Sequence, residues 1–449
     1  MLKTFGCIFL VFFSWTAFGQ RCHCQHFVRR SSDGVGFING LQIPVNPGDT
    51  VCLSAGNYRS LRITNIHGDA NHPVVFINCG GQVNIGSGQF AVSITDCSFF
   101  HITGTGDSTR QFGIRVTNPL PRVYDNVGIG IGGNSSDAEI DHVEISKMQT
   151  GILVKNDPDC RPSTWEESHN FHNISFHDLY IHRIVDFGFL VGYPGATVTL
   201  SCGGEKKTVN PQKIYGLRIY QCRLDSLGGS AIEVSDAPSG VEISHNFVEH
   251  YGLRSKAWFQ EGIIMGGLVN GTCHDNLVEE GTGSGIQILG TGKILVYNNI
   301  LVHTSQDGED AVFIDDRPSP EYKPLRVDLV NNTIIGAGRN AVRIQNQGGT
   351  ISGDNLIYNN LILACKEPFF FGAGHRLSHN LIHLDPKWAK LDDQYAPMTG
   401  SPAVSAGANV ASFGITQDFN GHERMDGKSV DVGAVQMDRH PSGVHPSDQ

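Results

Sequence analysis

Between residues 230 and 382 the apolar side chains fall two apart in short bursts. The bursts occupy 230–234, 261–265, 284–288, 310–314 and 340–344, and each is followed by a second phrase at 243–248, 273–278, 296–301, 329–334 and 357–362. Apolar residues two apart mark a strand with one buried face. The phrase pair returns every roughly 23 to 30 residues, the period of a solenoid. A single coil cannot bury its apolar row, so coils must stack and pair their backbones. The pattern predicts an all-β fold, a single-stranded right-handed parallel β-helix. Each coil should hold a strand, a turn, a second strand and a longer turn.

The same alternation fixes what faces outward. Ile232 and Val234 point inward, so Glu233 points to solvent. The predicted outward row is Arg115, Leu153, Leu190, Glu233, Ile264, Gln287, Phe313 and Arg343. One residue later the row is Lys155, Gly192, Ser235, Gly266, Leu289, Asp315 and Gln345. In the second phrases Asn246, Asn276, Asn299, Asn332, Asn360 and Asn380 align, after Val143, Leu179 and Cys222 on earlier coils. Stacked Asn amides bond along the solenoid axis, and Asn accepts the left-handed backbone of a tight turn. This column reads as a structural ladder.

Three long connections, 155–173, 192–213 and 315–324, leave one edge of the outward face, whereas 289–293 is short. Long loops of a repeat protein are often functional, and here they would wall a trench. Glu233, Glu261, Asp310 and Asp315 are the catalytic candidates within it. Coils stack about 4.8 Å apart. Glu261 and Asp310, two coils apart, would then lie near the ~6.5–9.5 Å of inverting glycoside hydrolysis, and Glu233 and Glu261 near the ~5 Å of the retaining kind. One carboxyl would be kept protonated by its neighbours while the other acts on water. A second chemistry is Ca²⁺ held by Asp307, Glu309 and Asp316, acidifying the α-proton of a uronate. Lys155, Trp258, Gln287, Arg317, Tyr322 and Arg343 are the substrate-binding candidates. Trp165, Trp258 and Tyr322 can stack on sugar rings or anchor loops. A solvated acidic surface with tolerated loop insertions is the plainer reading of the same residues.

A net charge of −11 without a basic run argues against nucleic acid and anionic membranes as partners. Lys3, the apolar run 7–13 and Ala17-Phe18-Gly19 make residues 1–19 a signal peptide, too short to span a bilayer. A secreted monomer without membrane insertion is expected. Of the eleven cysteines Cys7 lies in this leader, which leaves ten. Cys160 and Cys202, in consecutive long loops, are the best disulfide pair, and Cys52 with Cys79 is a second. Cys22 and Cys24, with His26, are spaced too tightly for a usual zinc site and suit a disulfide staple. Cys273 falls on a core position.

Pro47-Gly48-Asp49 and the strand after it, followed by residues 68–77, resemble the opening coils of exported proteins of the pectate-lyase-like superfamily, especially the alginate lyase and chondroitinase B family. Residues 401–407, Asp418-Phe419-Asn420-Gly421, Arg424 and 431–435 are similar to the closing segment of exported bacterial β-helix proteins. The resemblance implies a polysaccharide partner. That family's catalytic Lys and Arg-His pair is not found on the outward face, and Asp315-Asp316 is only a fragment of the paired-Asp pattern of polygalacturonases. The expected organisation is a signal peptide 1–19, a cap with the first coils 20–98, repeats 99–388, a closing segment 389–437 and a disordered tail 438–449. The expected activity is carboxylate-mediated glycoside hydrolysis, with Ca²⁺-assisted β-elimination or non-catalytic glycan binding as alternatives.

Overall fold

The computed structural model describes residues 22–86, 88–118, 126–256, 259–316, 324–346, 349, 351, 354–372, 375–424 and 430–437. Residues 1–19, expected to be a signal peptide, the tail expected at 438–449 and the candidates Trp258, Arg317 and Tyr322 lie outside these residues.

The described chain is a stack of parallel strands in one sheet of 13 and one of 23, plus a two-stranded hairpin. We call the first the front sheet and the second the rear sheet. A coil gives the front sheet one strand and the rear sheet two: Ile232–Val234 in front, then Val241–Ser244 and Phe247–Glu249 behind, before Ile263–Met265 opens the next coil. Ile232, Ile263, Ile286, Val312 and Val342 stand in register down the front sheet. All five are at most 2% exposed. Their branched side chains fill one continuous core from Val28 to Cys365, and each buried Ile or Val contributes about 1.5–3 kcal/mol against the entropy of ordering its coil.

The second phrase of each coil is two short strands rather than one. The chain bends between them at His245, Asp275, Asn298, Asn331, Asn359 and His379, whose φ angles lie between 53° and 56°. Asn, Asp and His are the residues that tolerate this region best. The left-handed residue is thus the one before each aligned asparagine. That asparagine supplies the ladder: Asn276 Nδ2 donates to Asn299 Oδ1 at 2.9 Å, Asn299 to Asn332 at 3.0 Å, Asn332 to Asn360 at 2.9 Å and Asn360 to Asn380 at 2.9 Å.

Arg115 is a correction. It lies in Ile114–Thr117, which pairs within the rear sheet, and Gly130 takes its expected front position opposite Leu153. Alternation tells inside from outside but not which side of the coil a strand occupies.

The cysteine pairing at the N-terminus differs too. Cys52 bonds Cys24 and Cys79 bonds Cys22, with Cα separations of 5.8 and 5.9 Å. His26–Phe27 pairs with the strand holding Cys52, and this lays residues 22–24 across the first two coils. At the same end Arg29–Arg30 pairs antiparallel with Val35–Asn39 and covers the edge of the front sheet.

The C-terminal segment folds back along the rear sheet instead of adding a coil. Val432 packs on Leu361 and Leu363, and Ala434 and Val435 pack on Ile300 and Val302. Arg424 Nη2 donates to Asn298 Oδ1 at 2.7 Å and to the Gly433 and Ala434 carbonyls. Among the described residues no helix is long and apolar enough to cross a membrane.

Candidate active-site trench

Glu233 is the middle residue of Ile232–Val234 and faces outward between two buried neighbours. Its register partners are Leu190 on one side and Ile264 on the other, and Gln287 follows. Ile264 and Gln287 face outward yet are each 4% exposed, so the row is the floor of a depression. Burial, and after it the neighbouring Glu261 carboxylate, push the Glu233 carboxyl up to about 7, with Lys155 pulling the other way. Near neutral pH this group holds a proton about half the time.

Glu261 enters from the start of the strand. The Ala231 amide donates to the Glu261 carbonyl at 3.0 Å, which sets Glu261 opposite Ser230. Its Oε2 accepts from the Gln260 amide at 2.8 Å and from Ser230 Oγ at 3.2 Å. Burial raises its pKa while these two hydrogen bonds favour the ionised form. Both carboxyls thus have raised pKa values, Glu261 with two donors aimed at one oxygen to oppose its rise, on adjacent coils of a rigid sheet.

The register carries Glu261 through Ser284 to Asp310, two coils on, as expected. Asp310, however, is wholly buried and held by Arg339, Nε at 2.9 Å and Nη2 at 2.7 Å, with the Asn340 side chain on the same carboxylate. A carboxylate clamped this way sits in an ion pair rather than facing a water. Arg339 and Ser230 were missed in the sequence. Their signal was the register: each stands at or beside the equivalent of a candidate carboxylate on a neighbouring coil.

The remaining candidates are spread along the same side. Asp315 and Asp316 are buried at the exit of Val312–Asp315, and the Asp316 amide donates to Asp315 Oδ1 at 3.0 Å. Asp307 is exposed and Glu309 lies 3.7 Å from Arg339. The described groups of His, Cys, Asp and Glu close enough to share an ion do not include Asp307, Glu309 and Asp316 together. Arg343 stacks its guanidinium between Phe313 at 5.7 Å and Phe370 at 5.2 Å. Lys155 Nζ is 2.7 Å from Asp157 Oδ1 and 5.7 Å from the Tyr193 ring.

The wall beside Glu233 is built from the first two long loops. Cys160 and Cys202 join them, with Cα atoms 5.5 Å apart. The second loop is not irregular but an antiparallel hairpin, Val198–Cys202 with Glu205–Val209. Trp165 anchors this wall: it is 9% exposed, its Nε1 donates to the Asp159 carbonyl at 2.7 Å, and Lys207 caps its ring at 3.9 Å. The opposite rim carries an aromatic pair that the sequence reading did not single out, Phe187 and Phe259, with centroids 5.8 Å apart.

No protein-family model matches this sequence, and no curated protein is significantly similar to it. The solved structures give the fold. A pectate lyase superposes with a TM-score of 0.50 over 89% of this chain and 90% of its own, at 14% identity. The chain folds as a pectate-lyase-like right-handed parallel β-helix. A lacto-N-biosidase from Eubacterium ramulus (TM-score 0.46, 13% identity, 76% of this chain and 63% of that one) and an alginate lyase mutant (TM-score 0.40, 12% identity, 91% and 58%) are also similar.

Along this pectate-lyase-like β-helix the front face continues towards the N-terminus as a cavity of about 610 Å³ lined by Phe37, Arg59, Arg62 and Phe90 among others. A second cavity, of about 620 Å³, lies on the rear side. There Arg110, Arg115 and Arg223 are each already paired with a carboxylate, Asp107, Glu144 and Glu249. The two buried carboxyls on adjacent coils, Glu233 and Glu261, are in front, and the candidate site is placed there.

Proposed function

We propose that this protein is an exported carbohydrate-active enzyme that cleaves a polysaccharide lying along the front sheet, by carboxylate-mediated glycoside hydrolysis. The observation that carries the reading is Glu233, a carboxyl raised to about 7 in the trench floor with Glu261 beside it on the next coil. Glu233 is the proton donor to the leaving oxygen. Glu261, with two hydrogen bonds favouring its anion, is the carboxylate that meets the developing oxocarbenium charge. The ion pair of Asp310 with Arg339 favours Glu233 and Glu261 over Glu261 and Asp310 as the working pair. Phe187, Phe259 and the Phe37–Phe90 cavity offer sugar-stacking surfaces along one line. Three disulfides suit an oxidising compartment.

The test is a panel of polysaccharides with the pure protein. New reducing ends without absorbance near ~232–235 nm, lost in Glu233→Gln and Glu261→Gln, support hydrolysis through this acid–base pair. Unsaturated products would move the assignment to β-elimination. Binding without turnover, equal in the wild type and both variants, would leave only a glycan-binding surface.

A further inference from the structure

The rear sheet carries a separate group of ligating side chains. His101 lies in Ser98–Thr103, Glu139 and Asp141 in Ser136–Asp141, and His177 in Phe171–His177. These strands belong to three consecutive coils, with Glu139 opposite His101 and Asp141 opposite His177. Alternation directs all four to the same outer side, flanked by the buried Phe100, Ile102, Ile140 and Phe176. His177 Nε2 is 2.9 Å from Glu139 Oε1 and 3.8 Å from Asp141 Oδ2. His101 Nε2 touches Asp141 Oδ2. One ligand atom each of His101, Glu139 and Asp141 lies within 4.8 Å of the others. A tetrahedral ion with donors at ~2.0–2.1 Å needs those donors about 3.3–3.4 Å apart. His101, Glu139 and Asp141 are therefore close to such a cage, and His177, 2.9 Å from Glu139 but outside the set whose atoms all lie within 4.8 Å, completes it when its side chain turns inward.

The surroundings orient it. Asp178 Oδ2 takes His177 Nδ1 at 2.7 Å, which leaves Nε2 as the atom aimed inward, the usual support for a metal-bound imidazole. Thr103 Oγ1 and His142 Nδ1 both hold Asp141 Oδ1 at 2.6 Å, leaving Oδ2 for the cage. The His177 ring stacks on Tyr220 with centroids 4.7 Å apart. Two other groups on the rear sheet are weaker. In Asp225–Glu249–His250 the Arg223 guanidinium already sits on Glu249 at 2.7 Å. His245–His274–Asp275 offers three donors, and the His245 side chain is 50% exposed.

We propose that His101, Glu139, Asp141 and His177 form a binding site for a divalent transition-metal ion, with Zn²⁺ the best fit. Two imidazoles disfavour Ca²⁺ and Mg²⁺, which take oxygen donors. Two carboxylates balance a dication, so the filled site is neutral. With four protein ligands it is a structural site, fastening three successive coils across the rear sheet. It is independent of the trench and of Ca²⁺.

The experiment is to strip the full chain with a chelator, dialyse it, and titrate Zn²⁺ by calorimetry, with Co²⁺ absorption as a second readout of tetrahedral geometry. The expected result is uptake of one Zn²⁺ per chain and an intense Co²⁺ visible band. Asp178→Asn should weaken Zn²⁺ binding by about 10–100-fold. His101→Gln/His177→Gln should weaken it further and remove the Co²⁺ band, while His274→Gln should change neither. Circular dichroism of each variant checks that the coils remain. Failure to take up stoichiometric Zn²⁺, or uptake that survives the double variant and is lost in His274→Gln, overturns the assignment.

Discussion

The raised pKa of Glu233 makes a stability prediction that needs no substrate. An ordinary glutamate titrates near 4.5, and in the fold this one titrates at about 7. The folded state therefore binds a proton more tightly than the unfolded chain does. Between those two values the folded state holds more protons, so stability falls as pH rises through the window. At about 1.4 kcal/mol per pKa unit, the fully developed penalty above pH 7 is about 3 kcal/mol. Glu233→Gln keeps the shape and removes the charge. Guanidinium denaturation of wild type and variant should give the same pH-independent offset below about pH 4.5. Above that the variant should gain steadily, reaching about 3 kcal/mol more than the offset by pH 8. Lys155 opposes the shift, so Lys155→Ala should destabilise the wild type above pH 7 and have a smaller effect in the Glu233→Gln background. A difference between wild type and Glu233→Gln that stays flat from pH 4 to 8 would refute the reasoning, and with it the role of Glu233 as a proton donor near neutral pH.

Other perturbations test other parts of the structure. Arg339→Met leaves the buried Asp310 carboxylate without its bidentate partner and should lower stability by about 3 kcal/mol, with part recovered when Asp310→Asn is added. Asn299→Ala removes a ladder rung bonded to Asn276, Asn332 and the Cys273 carbonyl, and should cost at least about 3 kcal/mol in a denaturation curve. Cys97, Cys222, Cys273 and Cys365 are buried thiols. Burial pushes Cys97 and Cys222 up to about 12, so a thiol reagent should label none of the four in the native protein and all of them after unreduced denaturation.

Much of this architecture was readable in the sequence, for a reason specific to solenoids. Every coil repeats the same physical demand, so Ile232, Ile263 and Ile286 announce one another, and the column from Asn246 to Asn380 announces the turn. The ladder was legible; the left-handed bend was misplaced by one residue, because Asn, Asp and His satisfy it equally and only the backbone shows which position turns. Arg115 was misplaced because strands on the front and rear share one alternation. The N-terminal pairing depended on how His26–Phe27 docks, which no spacing encodes. In the trench the register correctly set Glu261 and Asp310 two coils apart, but it carried no sign that Arg339 reaches across to one and not the other. Charge pairing depends on side-chain direction, and periodicity is silent about that.

The segment around Arg424 and 430–435 has a consequence for how the molecule folds. Strands in the repeats meet partners about one coil away, whereas Arg424 meets Asn298 across 126 positions and the Ala434 amide meets Thr333 across 101. Coils whose partners are local can stack one after another, whereas this strap docks only once the coils beneath it are in place. Until then Ile300, Val302, Leu361 and Leu363 form an uncovered greasy stripe. A chain cut before residue 430 should keep its described repeats stacked and still be prone to clump.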